Sequence, residues 1–97
     1  MTLSIHPGAE QDIADAIDFY KEHAGPRVAA AFLNEFNRVA TLLLERPRLS
    51  AATSKGRRVF AMRVFPYSVV YRELPDGIRI IVVRHQRRKP SFGGARR

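Results

Sequence analysis

Arg58-Val59-Phe60-Ala61-Met62-Arg63-Val64-Phe65-Pro66-Tyr67-Ser68-Val69-Val70-Tyr71-Arg72, then Pro75-Asp76-Gly77, then Ile78-Arg79-Ile80-Ile81-Val82-Val83-Arg84 is the stretch on which the fold turns. Its β-branched and aromatic residues fit a pleated, half-buried surface, and Pro-Asp-Gly has the composition of a tight hairpin turn. Three strands follow. Arg58 to Val64 places Phe60, Met62 and Val64 on one face and Val59, Ala61 and Arg63 on the other. Phe65-Pro66 turns the chain into a strand from Tyr67 to Arg72. The last strand, Ile78 to Arg84, is almost continuously apolar, which predicts a position at the sheet centre or cover on both faces.

Upstream, the period changes. Thr2 to His6 alternates as a short strand ended by Pro7-Gly8. From Ala9, Ile13, Ala16, Ile17, Tyr20 and Ala24 recur at helical spacing, with Glu10 and Asp12 near the positive end of the helix dipole. Gly25-Pro26 stops this helix. A second runs from Arg27 to Glu45 with a buried stripe of Val28, Phe32, Phe36 or Glu35, Val39 and Leu43, widened by Ala31 and Leu42, and Pro47 closes it. The short connection predicts an antiparallel helical hairpin. The order is β-α-α-β-β-β, an α+β domain in which the hairpin packs on a small, mostly antiparallel sheet. All 97 residues form one domain, with residues 91–97 expected as a mobile basic tail.

Charge is polarised along the chain. Up to Glu45, seven carboxylates face three Lys/Arg, a net −4. From Arg46 onward, fourteen Lys/Arg face only Glu73 and Asp76, a net +12. Such polarity steers anionic partners to one face. The chain has no cysteine, which excludes a disulfide framework and a thiolate zinc site. His6 and His23 lack metal-ligand spacing, so neither a metal nor a cofactor is expected. No basic-then-apolar leader and no apolar run of membrane length is present, and a soluble, cytoplasmic protein is expected.

Arg63-x-Phe65-Pro66-Tyr67-Ser68-Val69-Val70-Tyr71 and His85-x-x-Arg88-x-Pro90, in this element order, resemble the RelE/ParE toxin superfamily of type II toxin-antitoxin systems. The resemblance covers essentially the whole chain. RelE-like members are implied to cleave messenger RNA on the ribosome with basic and aromatic groups. Here Ser68 stands where such nucleases tend to carry arginine, and Gln86-Arg87 replaces the expected His-Tyr or comparable pair. The pattern looks more like the ParE branch. That likeness implies inhibition of DNA gyrase by binding, without catalysis of its own, a role in plasmid stabilisation, and neutralisation in a hetero-oligomer with a ParD-like antitoxin. Ser91-Phe92-Gly93-Gly94 departs from the bulky aromatics often found after the proline.

Arg58, Arg63, Arg84, His85, Arg87, Arg88 and Phe92 are the expected target-contact residues, because arginines gathered at a sheet rim bind phosphate and carboxylate in bidentate fashion. Tyr67, Tyr71, Arg72 and Arg84 are the expected antitoxin contacts. The plain alternative is a solvated surface with ion pairs to Glu73 or Asp76, and core positions for Tyr67 and Tyr71. Phe19, Phe32 and Phe36 read as helix packing. Two other functions remain open: a RelE-like ribonuclease using Arg63, Arg84 and His85, and a non-catalytic nucleic-acid-binding module.

Overall fold

A computed structural model describes residues 1–97. It contains β1 (Thr2–Ile5), α1 (Pro7–Ala24), α2 (Pro26–Glu45), a short 3-10 turn (Ser54–Gly56), β2 (Arg58–Ala61), β3 (Tyr67–Leu74) and β4 (Gly77–His85). The sheet order is β1-β4-β3-β2, with β1 parallel to β4 and the other pairs antiparallel. This is the expected β-α-α-β-β-β order with β4 inside the sheet.

Each helix begins where local chemistry satisfies free backbone donors. His6 caps α1 through Nδ1, which accepts from the Gly8 amide at 2.8 Å, and Pro7 occupies the first helical turn, where a missing N–H costs little. Pro7-Gly8 therefore opens α1 as well as ending β1. Gly25 alone separates α1 from α2, and α2 again starts on a proline, Pro26. The buried α2 stripe is Phe32, Phe36, Val39 and Leu43, widened by Ala29 and Ala40. Ala31, expected in that stripe, is exposed, and Val28 and Leu42 are half-buried.

The β2 strand stops at Ala61, short of the expected Val64. The Met62 amide donates to the Tyr67 carbonyl at 2.8 Å and the Tyr67 amide to Phe65 at 2.7 Å, so the chain is already turning. Met62 and Phe65 are buried by this turn, whereas Val64 is expelled to 76% exposure. The β3–β4 hairpin closes over Pro75-Asp76, with Leu74 opposite Gly77. The same turn receives β1: the Thr2 amide donates to the Asp76 carbonyl and the Thr2 hydroxyl to the Asp76 carboxylate, both at 2.8 Å. A Cβ at Gly77 would collide with the Thr2 carbonyl, so this approach requires glycine.

Continuous apolarity in β4 has a specific origin. Val70 pairs with Val82 but Tyr71 pairs with Ile80, leaving Ile81 as the extra residue of a β-bulge. The bulge shifts the side-chain alternation. Ile78, Ile80 and Val83 join Tyr67, Val69, Tyr71 and the helices in one core, whereas Ile81 and Val82 join Val70 on the opposite face. Val59 and Phe92 pack against that second cluster.

Phe92 can do so because residues 91–97, expected as a tail, fold back across the sheet. Arg57 donates to the carbonyls of Gly93 (3.3 Å), Gly94 (3.2 Å) and Arg96. Gly93 has φ +75°, and a Cβ there would stand 2.6 Å from the Val82 side chain. Arg96 reaches α1, pairing with Asp12 at 2.6 and 3.3 Å. Asp12 Oδ2 also accepts from the Val83 amide at 3.0 Å, and Arg96 donates to the Ile81 carbonyl at 3.3 Å. The β1 ladder ends at Ile5 opposite Ile80, so these two side chains cover backbone groups of β4 beyond the reach of β1. No helix is long and apolar enough to cross a membrane.

The Asp12 side chain is only 8% exposed and that of Arg96 21%, so removing one partner strands a partly desolvated charge. Asp12→Ala is expected to cost about 2–3 kcal/mol, lowering the melting temperature by roughly 10–20 °C. Thermal and urea unfolding of the variant test this, and a loss below about 0.5 kcal/mol would mark the pair as an ordinary screened surface contact.

Burial pushes the Tyr20 and Tyr67 phenols above their usual 10.0; at Tyr67 the nearby Tyr20 and Asp15 add to the rise and Arg88 opposes it. Because the folded state holds these protons more tightly than the unfolded chain, the associated stability is complete below the ordinary phenol pKa. It is lost as pH climbs through the raised values. Unfolding free energy should therefore fall in alkali, and a Tyr20→Phe/Tyr67→Phe variant should fall less steeply over the same range. Identical alkaline slopes would contradict the assignment.

Candidate functional site

Strand β4 ends at His85, and the next residues wrap around that imidazole. Its Nδ1 accepts from the Arg87 amide at 3.1 Å, its carbonyl accepts from the Arg88 amide at 2.9 Å, and the Gln86 amide donates to the Pro66 carbonyl at 2.8 Å. The last bond joins the end of β4 to the Phe65-Pro66-Tyr67 turn. Tyr67 lies opposite His85 in the ladder, with ring centroids 5.1 Å apart in an edge-on arrangement. His-x-x-Arg and Phe-Pro-Tyr, separated in sequence, thus form one structural unit.

Beside this unit runs a cleft between α1 and the open end of β4, about 210 Å³, bordered by Asp15, Phe19, Tyr67, Arg84, His85 and Arg88. It continues into an adjoining hollow of about 350 Å³, where Phe19, Tyr67 and His85 meet Arg87 and Arg88. Phe19 does not pack into the core. It is 51% exposed, with its ring 4.5 Å from His23 and 5.4 Å from Tyr20. An aromatic floor rimmed by arginines can hold an apolar side chain and pair flanking carboxylates or phosphates.

Of the expected target contacts, Arg84, His85, Arg87, Arg88 and Phe92 are brought together. Arg88 stacks over Phe92 at 4.7 Å, and Arg96 lies near the same ring at 5.1 Å. Phe92 is therefore half-buried between two guanidinium groups and the second core cluster, a fixed part of the surface instead of a free anchor. The other two arginines lie elsewhere. Arg58 donates to the Ser50 carbonyl at 2.6 Å and pins the loop before β2, while exposed Arg63 sits in the β2–β3 connection near Glu35. Hydrogen bonding to Arg38 holds the Glu35 carboxyl below its usual value, with Arg63 adding to that effect.

The expected antitoxin contacts also divide. Tyr67 is 9% exposed and reaches the cleft, and half-buried Arg84 borders it. Tyr71 is fully buried, and its hydroxyl donates to the Pro47 carbonyl at 2.9 Å and lies 2.8 Å from Ser50 Oγ, so it is a core residue and no contact residue. Arg72 lies in a separate groove on the tail-covered face. The acids considered as partners for the rim are occupied elsewhere: Glu73 pairs with Arg48 at 3.1 Å, and Asp76 with Thr2. Sequence reasoning missed Phe19 and Asp15, whose signal was their common helix face with buried Ala16 and half-buried Tyr20. No cluster of three or more His, Asp or Glu is placed to hold a metal ion.

The fold finds counterparts among known proteins. Over 88% of this chain and 95% of the other, the structure superposes on a chain from the chromosomal ParDE toxin-antitoxin system of Pseudomonas aeruginosa, with TM-score 0.77 and 20% identity. Toxin ParE2 of Mycobacterium tuberculosis, from strains CDC 1551 and H37Rv, is 28% identical over 89 residues, covering 92% of this chain and 85% of that toxin. The family model described as the ParE toxin of the parDE type II toxin-antitoxin system matches residues 3–90, a span that includes β1 from Leu3, the helical hairpin, the other three strands and the His85-to-Pro90 rim. This chain belongs to the ParE toxin family of type II toxin-antitoxin systems.

Proposed function

We propose that this ParE-family toxin acts in the cytoplasm by binding DNA gyrase, and that a ParD-like antitoxin neutralises it by occupying the cleft between α1 and the end of β4. The observation carrying this reading is the single unit made by Phe65-Pro66-Tyr67 and His85-Gln86-Arg87-Arg88, which presents cations beside exposed Phe19. An amphipathic antitoxin segment laid along the cleft would bury Phe19 and the Tyr67 edge while its acidic residues meet Arg84, Arg87 and Arg88. The parDE description of the family and the ParDE system of the structural neighbour support a partner of this kind.

A binding mode of inhibition suits the local hydrogen bonding. His85 Nδ1 is engaged by the Arg87 amide and its ring is held against Tyr67, so the imidazole organises the turn that displays the arginines. Ser68, opposite Arg84 in the ladder, leaves that point of the sheet without a second cation. Both features favour a docking surface over a general-base site.

Arg84→Glu combined with Arg88→Glu should reduce inhibition of gyrase supercoiling and affinity for the antitoxin by at least about tenfold, since each reversal replaces an attractive arginine–carboxylate contact with like-charge repulsion. Supercoiling assays and titration with the antitoxin measure the two effects. If wild-type protein leaves supercoiling untouched at large molar excess while induction yields new messenger 5′ ends, the ribonuclease reading replaces this one.

A further inference from the structure

A second basic surface lies away from the rim. Lys55, Arg57, Arg72, Arg96 and Arg97 border a groove of about 580 Å³ floored by Ile81, on the sheet face opposite the helices, with no acidic residue in its lining. Arg72 lies five positions along β3 from Tyr67, roughly 16 Å at strand rise, so groove and rim occupy opposite ends of the strand.

The groove is built by the fold. Arg57 is fixed by three tail carbonyls, and Arg96 by Asp12. Arg72 sits directly across the ladder from Arg79, which bonds the Ser4 hydroxyl and, at 2.9 Å, the Arg97 carbonyl. Like charges paired across a sheet repel, and a bound anion relieves them. Lys55 is the one non-glycine residue with positive φ, at 61°. Its turn is closed by the Thr53 amide and hydroxyl, both donating to the Arg57 carbonyl, at 2.6 and 3.0 Å. Backbone strain of this kind persists where surrounding structure imposes it, and here it sets a cation at the groove edge. Neither Lys55 nor Arg72 takes part in any of the chain's ion pairs.

We infer that this groove binds the phosphodiester backbone of nucleic acid, without sequence preference. Spaced cations with no acidic side chain among them match a row of phosphates, which needs charge neutralisation and no apolar pocket. A peptide partner would require anchor pockets, and the groove offers only Ile81 and Ala95 as apolar lining. Bases would require aromatic platforms, and none borders the groove. The inference stands independently of the gyrase reading.

Anisotropy of a labelled DNA duplex of arbitrary sequence, titrated with the full-length chain from low to moderate salt, tests it. The logarithm of the binding constant should fall linearly with the logarithm of salt, with a slope of about −3 for Lys55, Arg72 and Arg97. Lys55→Gln/Arg72→Gln should weaken binding at least about tenfold and flatten the slope by about two, whereas Arg87→Gln/Arg88→Gln at the rim should change affinity less than about threefold. Unaltered melting temperatures would show both variants folded. Binding lost in the rim variant but kept in the groove variant would overturn the inference, as would equally tight binding of polyglutamate at matched charge. Absence of DNA binding at low salt would also overturn it.

Discussion

Asp12 is the constraint on which the rest of this small structure depends. Its carboxylate receives the Val83 amide from β4 and the Arg96 guanidinium from the folded-back chain, tying together α1, the central strand and the last residues. The need arises from topology. The β1 strand is too short to accompany β4 along its full length, and an inner strand cannot leave backbone groups unpaired where water is excluded. A side chain from α1 and one from the C-terminal segment take the place of a missing ladder.

This suture has consequences on both faces of the sheet. On the helical face it holds α1 against the end of β4, which fixes the width of the cleft where Phe19 faces His85 and Arg88. On the other face it seats Phe92 over Val70, Ile81 and Val82, turning a face that would otherwise expose β-branched side chains into a second small core. The guanidinium groups of Arg88 and Arg96 then flank one ring, so the arginine rim and the structural suture share Phe92. Two basic surfaces emerge, one at the Tyr67–His85 end of the sheet and one on the tail-covered face beside Arg72 and Ile81. The bulge at Ile81 lets the chain serve both faces at once.

Much of this was readable from residue patterns. The apolar run of β4, the Pro75-Asp76-Gly77 turn and the two helical stripes carry local signals, and they place His85 and the following arginines at a rim. Other features depend on contacts between distant residues. Asp12 has the local signature of a solvated acid near a helix start, because its partner is 84 positions away. Residues 91–97 carry no periodic signal in their glycines and arginines; their docked position comes from Arg57, Arg96 and the positive φ of Gly93. Tyr71 shares a face with Tyr67, yet only the loop at Pro47 and Ser50 determines that its hydroxyl turns inward. The length of β2 failed to show for a similar reason: alternation continues through Val64, but the backbone turns once Met62 bonds Tyr67.

The docked position of the last residues is the claim on which both surfaces rest, and backbone ¹⁵N relaxation reports on it directly. Heteronuclear NOE values for the Gly93, Gly94 and Arg96 amides should equal those of β4 in the full chain and drop toward values of a free terminus in Asp12→Ala. Free-terminus values in the unmodified protein would contradict the account, since neither the cover over Val82 nor the basic groove would then persist.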